Sequence, residues 1–183
     1  RVLFRSLCLE RCFLDQSHFE AIPKLTQLKR LNLAFTGLRN RTALLIGELT
    51  SLTELDLDSC RINDRGTSGL TALTQLQSLN LADTPISNLS MEHIIKLTSL
   101  QKLNLGYTEV RDAGLSKISK LSKLTDLNLD SRLLSDTAMK YLSTLTCLTK
   151  LDMFAARVKD HAVVYLKPCK ALQSLELCGG LLT

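Results

Sequence analysis

Tryptophan is absent and aromatic residues make up only 4% of the 183-residue chain, although hydrophobic residues reach 45%. Globular cores usually lean on aromatic bulk. Leucine must therefore carry the burial here, which points to a repetitive core filled by one residue type. No apolar run approaches the roughly 20 residues needed to span a bilayer, so no membrane partner is expected. The opening RVLFRSLCLERC lacks the apolar stretch and small-residue cleavage site of a secretory signal. The chain begins at Arg1 rather than Met, which leaves room for a targeting segment upstream.

Chemical motifs are missing too. There is no GxGxxG, no GxxxxGK and no HExxH. Cys8 and Cys12 form a C-x3-C pair, but zinc needs four ligands and no second pair or nearby His supplies them. The three His residues, His18, His93 and His161, share no strand face with a Ser or Cys, so no nucleophile–base pair is expected. Neither metal, cofactor, small-molecule substrate nor catalytic residue is expected. Six Cys are present without pairs at either end. Cys12 and Cys60 share a repeat position two strands apart, about 10 Å, which is beyond disulfide reach. Six free thiols in a reducing, intracellular and cytoplasmic setting are the expectation. The sequons Asn40-Arg41-Thr42 and Asn88-Leu89-Ser90 arise readily by chance and carry little weight against it.

What is present is a repeat. LKRLNL, LTELDL, LQSLNL, LQKLNL, LTDLNL, LTKLDM and LQSLEL recur every 24 residues from Leu28 to Leu172. Phe4, Leu7 and Leu9 make a weaker first copy, so eight units follow one another without insertion. A second apolar column runs Leu14, Leu38, Ile62, Ile86, Val110, Leu134, Val158, Leu182, and two further columns follow at helical spacing. Each unit is thus a short strand and then a helix or helical turn. Asn40, Asp64, Asn88, Asp112, Asp136 and Asp160 share one column before the helical part and are expected as N-caps. A single unit cannot bury its own leucines, whereas stacked units make a parallel sheet and one continuous core. Strands sit about 4.8 Å apart and helices need more room, so the stack curves with the sheet inside. Three residues past each motif, Cys12, Thr36, Cys60, Thr84 and Thr108 are expected to satisfy backbone groups inside the turn. Arg132 in that column is expected to swing outward, since burying it unpaired is costly.

The whole repeat, LxxLxLxxTxLxDxGLxxLxxLxx, resembles the intracellular leucine-rich repeats of F-box and ribonuclease-inhibitor-like proteins, and more closely a group of plant leucine-rich-repeat proteins. Leu55-Asp56-Leu57-Asp58-Ser59-Cys60, Leu127-Asn128-Leu129-Asp130, Leu151-Asp152-Met153-Phe154-Ala155-Ala156-Arg157 and Leu175-Glu176-Leu177-Cys178-Gly179-Gly180 carry the likeness across essentially the whole chain. The resemblance implies an α/β leucine-rich-repeat solenoid of eight 24-residue repeats, with a parallel sheet on the concave face and helices on the convex face. It implies a binding role without enzymatic activity. One alternative is the substrate-recognition region of an F-box-type ubiquitin ligase, although nothing in the chain matches an F-box.

Strand side chains alternate, so the non-Leu positions face the concave side. In the first such column Arg30 neighbours Glu54, and Lys102, Asp126 and Lys150 follow one another, so ion pairs across strands are expected. In the second and third columns Asp56, Asp58, Asp130, Asp152 and Glu176 find no basic neighbour, leaving the inner face negative. Phe35, Tyr107 and Phe154 also fall on this face, and exposed aromatics mark interfaces. These eight residues form the expected protein-binding surface, centred on repeats five to seven. The net charge of +5 sits elsewhere, on the loops and helical side, and nucleic acid is not an expected partner. Neither end resembles a solenoid cap, so residues 1–183 are expected to be one domain from the interior of a longer chain.

Overall fold

A computed structural model describes residues 4–178; Gly179, Gly180 and Leu182, which complete three of the expected columns, lie outside them. Eight three-residue strands form one parallel sheet in chain order: β1 (Ser6–Cys8), β2 (Arg30–Asn32), β3 (Glu54–Asp56), β4 (Ser78–Asn80), β5 (Lys102–Asn104), β6 (Asp126–Asn128), β7 (Lys150–Asp152) and β8 (Ser174–Glu176). Every pairing joins residues 24 apart, such as Leu31 with Leu55 and Leu103 with Leu127. The expected register therefore holds along the whole sheet.

That register follows from burial. The central leucines Leu31, Leu55, Leu79, Leu103, Leu127 and Leu151 are all buried, as are Leu38, Ile62, Ile86, Val110, Leu134 and Val158 of the second column. A slip of one residue would turn each central strand leucine to the other face, at roughly 1.5–3 kcal/mol each. Leu175 on β8 has no strand beyond it among the described residues and is 37% exposed.

Backbone pairing continues past the strands. The Leu33, Leu57, Leu81, Leu105 and Leu129 N–H groups each donate to the carbonyl of the next repeat's last strand residue, at 2.7–2.9 Å. Two residues on, the Phe35, Ser59, Asp83 and Tyr107 N–H groups donate to the Asp58, Ala82, Gly106 and Asp130 carbonyls at 2.8–2.9 Å. The chain then turns sharply, because Arg11, Phe35, Ser59, Asp83, Tyr107 and Ala155 all adopt left-handed backbone, with φ between 49° and 61°. This conformation costs a non-glycine residue about 1 kcal/mol or more. The ladder bond on each amide offsets that cost. Inside the turn the Thr36, Thr84 and Thr108 hydroxyls donate to the carbonyls of Leu33, Leu81 and Leu105, as the sequence implied. Arg132 has no hydroxyl to offer; its side chain is exposed, and Ser131 before it is not left-handed.

On the other side lie helical segments such as Asn40–Ile46, Asn88–Ile94 and Asp136–Leu142, which are α-helical, and Asp112–Lys120 and Asp160–Leu166, which are 3-10. Adjacent segments approach so closely that a Cβ on Gly47 would lie 2.0 Å from the Gly69 carbonyl oxygen. The Asn/Asp column does not cap its own helices. These residues are the first of each helical segment, and their side chains reach forward into the next repeat. Asn40, Asp64, Asn88, Asp112 and Asp136 accept from the backbone N–H of Asn63, Ser87, Arg111, Ser135 and Lys159 at 2.8–2.9 Å. The caps stand one residue earlier, where Asn63, Ser87 and Ser135 accept from Arg65, Leu89 and Thr137.

Asp64 is the most heavily engaged of this column, accepting from the N–H and hydroxyl of both Ser87 and Ser90. Burial pushes its carboxyl up, but these four donors outweigh burial and hold it below its ordinary value of 3.8. A lowered carboxyl stabilises the fold above its unfolded value and loses that contribution as pH falls through the folded one. Asp64→Asn is therefore expected to lower stability by about 1 kcal/mol at pH 7. In urea titrations the gap to the parent chain should shrink below the ordinary carboxylate value; a gap independent of pH would contradict this.

Candidate functional site

The concave face has two kinds of acid. Those of the second column are engaged in the sheet itself. Asp56 and Asp152 accept the N–H two residues on, from Asp58 and Phe154, at 3.0 Å. Asn32, Asn80, Asn104 and Asn128 do the same for Ala34, Ala82, Gly106 and Asp130. Each side chain thus satisfies a backbone donor at the strand exit. Asp152 also accepts from the Asn128 amide at 2.9 Å, so both its oxygens are used. Burial lifts the Asp56 carboxyl, and the charges of Asp58 and Glu10 add to this, against hydrogen bonds from the Asp58 amide and the Asn80 side chain. Asp58 is half-buried, with the Ser59 hydroxyl 2.7 Å away; that hydroxyl also lies 2.9 Å from Asp83. The expected first-column ion pairs are in register, yet none closes to 4 Å among the described residues.

The second kind lies where the strands end. Asp83, Tyr107, Thr108, Asp130, Ser131, Arg132, Leu133, Phe154 and Ala155 line a groove of about 510 Å³. The left-handed residues create it. At Tyr107 the turn throws the ring off the sheet edge, leaving it 70% exposed, while Phe154 on the next-but-one repeat is 39% exposed. Asp130 sits between them in sequence order of strands and is only 7% exposed. Asp130, expected on the binding face, is thus a largely buried member of the groove lining. The Asp130 carboxylate accepts from the Tyr107 phenol, and this bond, with the negative charge behind it, raises the tyrosine above its ordinary value.

Of the eight residues expected at the surface, the groove unites Tyr107, Asp130 and Phe154. Phe35 is exposed but belongs to repeat two, where the Arg11 guanidinium stacks 4.9 Å above its ring. Asp56, Asp58 and Asp152 lie elsewhere on the sheet, and Glu176 is exposed on the last strand. Asp83 and Arg132 were not picked out as site residues; Asp83 shares the Tyr107 column, and that shared position was the available signal. Across the four concave columns, nine acids face four bases, while the rest of the chain carries nineteen bases and nine acids. The histidines lie on the helical side, His18 against Asp15, His161 against Asp136, and His93 3.1 Å from the hydroxyl of Thr67, which is fully buried in the stack.

The leucine-rich-repeat family model matches residues 50–110, a third of the chain. Solved structures extend the likeness. The fold is the leucine-rich-repeat solenoid. An internalin C2 from Listeria monocytogenes superposes with a TM-score of 0.74 and 24% identity, over 98% of this chain and 80% of its own. A second internalin of that organism gives 0.70 and 21%, over 92% of this chain and 52% of its own. A plant peptide hormone receptor, RGFR1, solved in complex with RGF2, gives 0.61 and 20%, over 89% and 26%. The chain thus spans about half the length of the second internalin and a quarter of the receptor. No curated protein matches the sequence.

Asp56 carries a testable consequence. Its raised carboxyl penalises the folded state at neutral pH, so stability should rise as pH falls through its folded value. Asp56→Asn, matching Asn80, Asn104 and Asn128 of the same column, keeps the acceptor and removes the charge. Thermal unfolding at pH 7 should move up. A lower midpoint would show that the carboxylate stabilises the strand exit.

Proposed function

We propose that this chain is a non-catalytic module that captures a protein partner on its concave side, at the groove formed by repeats four to seven. One observation carries the reading. Two large aromatic side chains, Tyr107 and Phe154, stand exposed on either side of a covered carboxylate in a concavity of about 510 Å³. Exposed aromatics around a concave site are the composition of interface hot spots. Leucine-rich-repeat folds commonly serve as interaction modules, and the structurally similar plant receptor is seen with a peptide hormone. The remaining concave acids, Asp56 and Asp152, hold the sheet edge in place, and Phe35 and Glu176 flank the site at a distance. The six free thiols, with Cys60 and Cys169 buried, support a reducing intracellular compartment.

The test uses full-length protein with Tyr107→Ala and Phe154→Ala combined. Both side chains are exposed, so the unfolding midpoint should stay unchanged. Partners captured from the native cell and quantified by mass spectrometry should fall more than about tenfold relative to the parent. Equal recovery by parent and variant would refute the groove as the binding site.

A further inference from the structure

The groove is not simply apolar. Asp83 and Asp130 contribute two carboxylates to its lining and Arg132 one guanidinium. Arg132 is exposed and makes no ion pair with either acid among the described residues. Asp130 is 7% exposed, and among the described residues no Lys, Arg or His pairs with it. A carboxylate with no cation of its own is a ready acceptor for one delivered by a partner. The walls favour the same guest, because ring faces attract cations and a desolvated site strengthens that attraction. The concave face as a whole is negative, nine acids to four bases, although the chain is positive overall. Long-range charge and local lining thus select the same sign.

We propose that the groove between Tyr107 and Phe154 receives an arginine side chain from an extended segment of the partner, its guanidinium pairing with Asp130. Arginine fits better than lysine. Its planar fork can meet a carboxylate edge-on while lying flat against an aromatic ring, which a compact ammonium cannot do. The volume of about 510 Å³ exceeds one side chain and leaves room for the flanking backbone. Asp83, at the Tyr107 column and already near the Ser59 hydroxyl, adds negative charge at the mouth. This inference rests on the groove being the binding site.

The experiment measures binding of heptapeptide pools with random flanks and a fixed central residue: arginine, citrulline or glutamate. Citrulline keeps the shape of arginine and removes its charge. Full-length parent protein should bind the arginine pool about tenfold or more above the other two. Asp130→Asn should erase that preference, and Arg132→Ala should strengthen the arginine pool by removing a like charge. Arginine and citrulline pools binding parent protein equally would overturn the proposal without any variant, so a folding defect in Asp130→Asn cannot obscure the answer. Preference for glutamate, weakened by Arg132→Ala, would overturn it too. If binding ignores the central charge but is lost in Tyr107→Ala with Phe154→Ala, the groove stands and the arginine claim falls. Binding unaffected by the aromatic variant, or no binding by any pool, removes both.

Discussion

The inter-repeat backbone ladder, repeated at 24 residues, is the constraint on which the rest depends. It runs through the strands and three residues beyond, ending in six of the described repeats on the N–H of a residue with left-handed backbone. That last bond does two things. It holds a costly conformation in residues that are not glycine, and it aims their side chains off the sheet edge. Tyr107 owes its exposure to this turn rather than to the strand. Without the ladder the groove would have no fixed wall.

Two polar columns brace the ladder. At the strand exits, Asn and Asp side chains take the amide two residues on. At the helix starts, Asn and Asp reach across to the following repeat. Each bond is worth only about 1 kcal/mol. Their repetition matters more than their size: the first column fixes each strand exit within its repeat, and the second ties each repeat to the next. Leucine supplies the free energy and the register of the stack; these columns reinforce it.

The sheet, its order and its register were legible in the sequence because a 24-residue Leu spacing has one packing solution. The nearness of Tyr107, Asp130 and Phe154 was legible for the same reason, since column positions on successive strands become neighbours. Four things were not. The helix-start column looked like local N-caps, because capping is reasoned within one repeat while these side chains bond to the next. The left-handed turn was hidden, because its column holds Arg, Phe, Ser, Asp, Tyr and Ala, none of which announces positive φ. The burial of Asp130 was hidden because the other acids of its column do not share it, and repeat six has a turn that departs from its neighbours. The backbone partners of the second-column acids Asp56 and Asp152 were hidden too, because the sequence displays their charge and not the amides they accept from.

The most direct test of the ladder is residue-resolved hydrogen exchange in the native state at the Tyr107 amide. Its bond to the Asp130 carbonyl at 2.8 Å should protect it as strongly as the Leu105 amide, bonded to Asn128 at 2.9 Å. Exchange at Tyr107 at the rate of an open loop, with Leu105 still protected, would mean that the pairing stops at the strand. The turn would then not be held, and the groove wall would have no basis in the fold.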